Sequence, residues 1–500
     1  MSDLKRLKKI EKAHIGFYSI GLEAYWQQFD GLYDCLISYN KFICEHLCQY
    51  GEVYDFGMVD TPLKAKSAGE YFLKNNVDII FCHSATYCTS ACVLPVHQID
   101  MAPVIILNLQ PAAEMAYDKT STAQWLAQCV GCPVPEISNA FERAGIQFYV
   151  VSGLLGLSET PSFSASDEIT VGRPEAVKAW SEIEQWCKAA TVKRNLHYSR
   201  FGFLGGYYSG MLDMYSDLTM IQAQTGIHVE VLEMCDLEKY LSQISSSDVR
   251  HKRAQIEEFF EISGDSPSDP IACKPTKEQI EWSCKVACAQ EKMVVDHGLD
   301  GLAYYYHGNN GGYYEKIQSG FIVGYSLLTA AGIPCAGEGD IKTAVAMKIC
   351  DILGKGGSFS EIVAADFNRN TIILGHDGPF HLAVSKGKPV LRNMGIYHGK
   401  KGSGVSVETK VVTGDVTTVG VTQTRNGNLK LIISEGVSTD DPILMNGNTS
   451  THIHFQLDPA EYMNRWFAQS PTHHCSLSVG KNADLFQKVG KLLGIESVVI

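Results

Sequence analysis

The sequence lacks any run of about 18 apolar residues, which is the length that a membrane-spanning helix needs. Its charged start, MSDLKRLKKIEK, also lacks the apolar segment of a signal peptide. Positive charge is scarce: 42 Lys and Arg stand against 55 Asp and Glu, which gives a formal net charge of −13 and no basic stripe for a phosphate backbone. These absences predict a cytoplasmic protein that binds neither membrane nor nucleic acid.

Nucleotide-binding motifs are missing as well. The Gly-rich turn GGYYSG lacks the spacing of G-x-G-x-x-G, and no segment matches G-x-x-x-x-G-K-[ST]. The 16 cysteines include one C-x-x-C, at Cys129 and Cys132, without a second pair at zinc-ribbon spacing. With no signal peptide, this pattern predicts reduced thiols rather than a disulfide framework.

What the sequence does contain is a change in its pattern of apolar and polar residues along the chain. Apolar strand patterns first alternate with helical patterns, which is typical of parallel sheets with helices on both faces. Beyond Gly357, β-branched alternation with Gly and Asn-Gly punctuation is typical of antiparallel sheet. These patterns predict an α/β fold of two doubly wound domains, residues 1–194 and 195–356, and a C-terminal antiparallel β-barrel-like domain with terminal helices, residues 357–500.

Polar and aromatic residues follow the predicted strands of the N-terminal domain. Parallel sheets bind ligands beyond the carboxyl ends of their strands. The sequence therefore predicts a substrate-binding rim that includes Glu23, Tyr25, Trp26 and His83. The alternative is that these are loop residues without a ligand.

A first candidate for chemistry is Glu338, which lies where the Gly-rich turn AGEGD meets a predicted helix. Asp340 is well placed to cap that helix by accepting backbone N–H groups. Glu338 would then be free to bind a metal or a substrate. Taken alone, a Gly-Glu-Gly turn is more often plain turn chemistry.

A second segment places carboxylates and a histidine on a predicted hairpin. Glu361 and Asp366 begin and end one strand-like run, and His376 and Asp377 follow the next run. A hairpin brings its two ends together, so a carboxylate and an imidazole can converge there. The sequence leaves open whether Asp366 or Asp377 replaces Glu361 or His376 as a metal ligand.

The third segment is the histidine pair His473 and His474 in SPTHHCSLSVG. Successive side chains of a strand face opposite sides, so we expect one ring to bind metal while the other meets substrate. Glutamates and histidines without a thiolate suit Mn²⁺, Co²⁺ or Mg²⁺ in six-coordination rather than a structural zinc.

Taken in order, these motifs resemble the L-arabinose isomerase family and, more distantly, the L-fucose isomerases. The resemblance runs through RFG, IHVEVLEMCDL, AGEGDIKTA, GGSFSE, the strand ending ILGH, and the HH pair. It implies metal ligands at Glu338, Glu361, His376 and His474, with the two glutamates as the acid/base pair. It also implies a homo-oligomer, either a trimer or a hexamer.

The resemblance weakens in the sugar pocket. The family has a glutamine and a Leu-Tyr pair where this chain has Glu23, Tyr25 and Trp26, and a substrate histidine where it has Phe141. We expect a metal-dependent aldose–ketose isomerase that acts on a small sugar through a cis-enediol(ate), with His473 donating to a substrate oxygen. The alternatives are a metal-dependent epimerase or lyase on a related sugar or sugar acid, and a non-catalytic sugar-binding protein.

Overall fold

The computed structural model describes residues 5–264, 269–308, 311–397 and 400–500, with only the backbone described at 395–397 and 400–403. The chain divides into two compact units, Glu11–Arg194 and the remainder, Met1–Ile10 with Asn195–Ile500. Among the described residues, no helix is both long enough and apolar enough to cross a membrane. The predicted division into three domains stays a prediction.

The first unit is built on a five-stranded parallel sheet with the strand order β2-β1-β3-β4-β5. Every residue of the central strand β3 is buried, as is usual for a parallel strand that is covered on both faces. The strands are β1 His14–Ile20, β2 Glu52–Val59, β3 Ile79–Ser84, β4 Val104–Gln110 and β5 Phe148–Leu154. The helices are α1 Leu32–Leu47, α2 Pro62–Lys74, α3 Leu94–Ile99, α4 Thr122–Leu126, α5 Val134–Ala144 and α6 Pro174–His197.

The second unit begins with a four-stranded parallel sheet in the order β11-β10-β6-β7. Its strands and two short neighbours are β6 Arg200–Leu204, β7 His228–Leu232, β8 Glu261–Ile262, β9 Ala272–Cys273, β10 Gly301–Tyr304 and β11 Cys335–Ala336. The helices are α7 Leu218–Thr225, α8 Met234–Ser242, α9 Ser246–Phe259, α10 Lys277–Asp296, α11 Tyr313–Gln318, α12 Phe321–Ala330 and α13 Ile341–Ile352.

The rest of the second unit is mainly antiparallel. Its strands are β12 Gly356–Asp366, β13 Thr371–His376, β14 Val390–Tyr397, β15 Lys400–Glu408, β16 Gly414–Gln423, β17 Leu429–Ser438, β18 Thr449–Phe455, β19 His474–Val479 and β20 Glu496–Val499, with helices α14 Pro459–Ala468 and α15 Ala483–Leu493. Six strands close an antiparallel barrel in the order β16-β19-β12-β13-β18-β17, because β17 pairs back to β16. Strand β20 joins β17 in parallel, and β14 and β15 form a separate sheet with β8 and β9. The predicted fold class is confirmed.

Helix α13 connects the parallel sheet to the barrel. All of its residues are buried. It contacts strand β10 of the sheet and strands β12, β16 and β19 of the barrel. Helix α13 is therefore packed between the parallel sheet and the barrel.

Candidate metal centre

Strand register brings three of the predicted ligands together. Glu361 on β12 lies opposite His474 on β19 and opposite Gly375 on β13, and His376 follows Gly375 directly. A side chain at Gly375 would place its Cβ 1.9 Å from the carbonyl oxygen of Thr449, so glycine allows the close approach of strand β18. Backbone pairing alone therefore makes a carboxylate and two imidazoles neighbours.

Glu338 enters the same region from a sharp turn. Its φ is 58°, in the left-handed region that side chains rarely adopt, and φ of Gly339 is 81°. A Cβ at Gly339 would lie 2.5 Å from the carbonyl oxygen of Gly206, so only glycine fits there. Strain at a residue that is not glycine is typical of functional sites, where the surrounding structure holds it in place.

Glu338, His376 and His474 form a cluster whose candidate ligand atoms all lie within 4.8 Å of one another. The Nε2 atoms of the two histidines are 3.1 Å apart. The carboxylate of Glu338 lies 3.8 Å from Nε2 of His376 through Oε1 and 3.6 Å from Nε2 of His474 through Oε2. Two nitrogens bound at right angles, each about 2.1 Å from one ion, would be about 3.0 Å apart. The spacing therefore fits adjacent ligands of a single metal ion.

A second cluster overlaps the first. Glu361, His473 and His474 also bring their candidate ligand atoms within 4.8 Å of one another. His474 belongs to both clusters, so the structure brings together all four predicted ligands and His473. Among the described residues, Oε2 of Glu338 is buried without a hydrogen-bond partner. An unsatisfied buried carboxylate oxygen is costly, and a bound cation would satisfy it.

The ring of His474 is held by Asp340. Nδ1 lies 3.1 Å from Oδ2 of Asp340, and that carboxylate also accepts the backbone N–H and the hydroxyl of Thr343 at 3.0 and 2.6 Å. Asp340 therefore caps helix α13 as predicted. Burial would raise its pKa, but the hydrogen bond to His474 and the charge of Lys342 lower the pKa of Asp340 to about 2. A proton on Nδ1 of His474 leaves Nε2 free for a metal.

His376 has a comparable support in Asp377. Nδ1 lies 3.0 Å from that carboxylate, and although burial lowers the pKa of His376, the hydrogen bond and charge of Asp377 raise it to about 9 overall. The backbone N–H of Gly378 also points to this nitrogen, with the two nitrogen atoms 2.9 Å apart. A metal at Nε2 would place the proton on Nδ1. Asp377 thus contacts the ring of His376 at Nδ1, the nitrogen that would not bind the metal.

Asp366, the other carboxylate that the sequence left open, lies at the far end of strand β12. Its carboxylate accepts the backbone N–H of Arg369 and pairs with the Arg369 guanidinium, both at 2.9 Å. Within the described part of the chain it belongs to neither cluster. The hairpin therefore brings Glu361, and not Asp366, next to His376.

Glu338 is surrounded by imidazoles. Burial alone would raise its pKa, but the interaction with His473 and the charges of His474 and His376 lower the pKa of Glu338 to about 2. Metal ligands must be deprotonated, so a carboxylate that stays ionised is suited to this role.

His473 lies just before the strand, since β19 begins at His474. The two ring centroids are 3.9 Å apart, and Nε2 of His473 is 3.4 Å from Oε2 of Glu338. The expectation that the two rings face opposite sides is wrong, because side-chain alternation holds only within a strand. Burial lowers the pKa of His473, but the neighbouring carboxylates of Glu338 and Asp213 raise it to about 9 overall.

The residues of the predicted rim lie in the first unit. Glu23 and Tyr25 bound a short 3-10 turn after β1, and Trp26 donates its Nε1–H to Asp60 at 2.9 Å. His83 is buried in strand β3, where Nδ1 lies 3.0 Å from the Ser19 hydroxyl and burial lowers the pKa of His83 to about 3. The role of these four residues in sugar binding stays a prediction.

Two residues of the site gave no signal in the sequence. Asp213 accepts the backbone N–H of His473 at 3.0 Å and lies 2.7 Å from its Nδ1, across 260 positions of sequence. Phe359 packs against His376 and His474, with ring centroids 4.7 and 4.3 Å apart. An exposed loop aspartate and a buried strand phenylalanine are common in any protein, so no local pattern distinguishes them.

No family model matches the sequence. Over 217 residues the chain is 25% identical to the L-arabinose isomerase of Geobacillus kaustophilus (strain HTA426), and the match covers 42% of this chain and 41% of that protein. The chain is a distant relative of an L-arabinose isomerase. The match thus spans less than half of either protein.

Proposed function

We propose that this protein is a metal-dependent aldose–ketose isomerase. The observation that carries the proposal is the convergence of Glu338, Glu361, His376 and His474 in two overlapping clusters. The distant similarity to an L-arabinose isomerase supports the same class of reaction. The fold alone would not support it, because one fold hosts many functions.

The four clustered residues would hold the metal. They offer oxygen and nitrogen donors, which suit Mn²⁺, with Co²⁺ or Mg²⁺ as alternatives. The buried, unsatisfied Oε2 of Glu338 supports a cation at this place. When bound, the ion supplies a Lewis acid for the hydroxy-carbonyl group of an open-chain sugar.

The protein's own groups would move the protons. Isomerisation transfers a proton between adjacent carbons of the sugar through a cis-enediol(ate), and Glu338 and Glu361 are the proposed acid/base pair. His473 is proposed to donate to a substrate oxygen. Its side chain is 34% exposed, against 6% for His376 and 0% for His474, so among these three rings it is the one that a substrate reaches.

The remaining elements of the proposal rest on sequence and on the family resemblance. We propose a small sugar as the substrate and a cytoplasmic homo-oligomer, either a trimer or a hexamer, as the working form. The substrate pocket differs from that of the arabinose enzymes at Glu23, Tyr25 and Trp26. A screen of aldoses and ketoses with Mn²⁺, read as ketose formation against a metal-stripped control, would identify the substrate.

The decisive variants are Glu338→Gln and Glu361→Gln. Each is expected to lower kcat by at least about 10²–10⁴-fold, the usual contribution of a proton-transfer group. Mn²⁺ titration gives a second readout, with weaker binding expected in both. Asp366→Asn, at the end of the same strand and outside both clusters, is the matched control. Near-normal turnover in either glutamine variant would rule out the assignment, and NMR of products formed in D₂O separates isomerisation from epimerisation or lyase activity.

A further inference from the structure

The loop after strand β6 carries a carboxylate that holds His473 at two points. Asp213 lies in the 3-10 turn Leu212–Met214. Its Oδ2 atom accepts the backbone N–H of His473 at 3.0 Å and lies 2.7 Å from Nδ1 of the same residue. An ionised carboxylate only accepts hydrogen bonds, so the short contact places a proton on Nδ1. The ring cannot turn over without losing this bond.

A buried lysine fixes the position of that loop. Lys342 is 1% exposed, and its ammonium donates to the carbonyl oxygens of Asp213 and Met214 at 2.9 and 3.0 Å and to the hydroxyl of Ser216 at 2.8 Å. All three ammonium donors are thereby used. A buried ammonium without such partners would be costly, so the lysine and the loop constrain each other.

Both neighbouring histidines are therefore supported from the beginning of helix α13. Asp340, the N-cap of that helix, contacts His474 directly. Lys342, in the first turn, reaches His473 indirectly by holding the Asp213 loop. The active-site geometry of two rings thus depends on a single stretch of chain.

We propose that Asp213 is a positioning residue, which fixes the ring of His473 with Nδ1–H on the carboxylate and Nε2–H directed toward the substrate. The inference rests on the proposed function, because that function gives His473 a substrate oxygen to contact. Nε2 of His473 lies 3.4 Å from Oε2 of Glu338, beside the proposed acid/base group. Asp213 would act on the substrate only through this ring.

The kinetic test compares Asp213→Ala with Asp213→Asn. Asparagine keeps an oxygen that can accept Nδ1–H, so it preserves the ring orientation without the charge. We expect kcat to fall about 10–100-fold in the alanine variant, the usual cost of losing the partner behind a functional histidine, and to recover largely in the asparagine variant. Mn²⁺ affinity should not change in either. In a His473→Ala background, Asp213→Ala should cause no further loss, and an equal, independent loss there would overturn the inference.

A spectroscopic test needs no turnover. Nitrogen-15 NMR of imidazole-labelled protein loaded with Mg²⁺ reports which ring nitrogen carries the proton, and the His473→Ala spectrum assigns the signal. We expect Nδ1 of His473 to carry a proton in the native protein, and we expect Asp213→Ala to lose that proton, so that only Nε2 remains protonated. If the Nδ1–H form persists in that variant, the inference is wrong even where isomerase activity is present. If the form changes but the native protein makes no ketose, the proposed function fails and the positioning role stands.

Discussion

His474 and His473 are adjacent in sequence, and each presents Nδ1 to a carboxylate, Asp340 in one case and Asp213 in the other. We call His473 with Asp213 the outer pair and His474 with Asp340 the inner pair. The contact of the outer pair is shorter, at 2.7 Å, than that of the inner pair, at 3.1 Å. The surroundings differ more than the distances. Both side chains of the inner pair are 0% exposed, whereas His473 and Asp213 are 34% and 40% exposed. The same interaction is thus built once in the interior and once at the surface.

Burial decides which pair matters more for stability. Solvent and salt screen the charges of an exposed pair, so such pairs contribute only about 0.2–1 kcal/mol. Removing the partner of a buried hydrogen-bonding group costs about 1–3 kcal/mol, because that group is left in a medium that cannot solvate it. Although its contact is longer, the inner pair should therefore contribute more to the free energy of unfolding than the outer pair. The outer pair can be altered without unfolding the protein, which suits a group that meets the substrate.

The largest effect is expected from Asp340→Ala. This change removes the acceptor of three buried donors, one on His474 and two on Thr343. At about 1–3 kcal/mol for each, we expect the free energy of unfolding to fall by at least about 3 kcal/mol. We also expect Mn²⁺ affinity to fall about 10–100-fold, because His474 loses its fixed orientation. Urea unfolding and Mn²⁺ titration measure the two effects. Asp340→Asn is the matched control, because it keeps an acceptor for Thr343. Unchanged Mn²⁺ binding in Asp340→Ala would contradict the role that we give to Asp340 in orienting His474.

A much smaller change in stability is expected from Asp213→Ala. Its carboxylate is 40% exposed, so the free energy of unfolding should fall by no more than about 1 kcal/mol. Mn²⁺ affinity should stay as in the native protein, even though kcat falls. The same urea unfolding and Mn²⁺ titrations, run beside those of Asp340→Ala, measure this difference. A loss of stability as large as that of Asp340→Ala would show that exposure does not separate the two pairs.

The two roles of Asp340 separate what local sequence predicts from what it does not predict. Its position before the apolar run of α13 predicted the cap, and the bond from the backbone N–H of Thr343 confirms it. Its bond to His474 spans 134 positions, and no local pattern encodes such a contact. The contacts of Asp213 and Lys342 have no local sequence pattern for the same reason, because their partners are set by tertiary packing.

Strand pattern predicted more of the fold than of the site. Period-two alternation and turn residues indicated the antiparallel region, and the hairpin of β12 and β13 brings Glu361 next to Gly375 as expected. The pairing of β12 with β19, which places His474 opposite Glu361, depends on closure of the barrel. The expectation that the rings of His473 and His474 face opposite sides is wrong because the exact start of a strand is set by hydrogen bonds across the sheet, which a pattern of residue types does not specify.

The smallest effect is expected from Asp366→Ala, which removes a carboxylate that pairs with an arginine. Asp366 pairs with Arg369 in the hairpin turn, and the two side chains are 21% and 47% exposed. An exposed pair three residues apart contributes little, so the free energy of unfolding should change by less than about 0.5 kcal/mol. Both kcat and Mn²⁺ affinity should match the native protein, as measured by ketose formation and metal titration. Asp366→Ala could instead lose metal binding and activity, as is expected for Glu361→Gln. In that case Asp366 would be the ligand in place of Glu361, and the pairing of β12 with β13 would have to bring Asp366 to the metal.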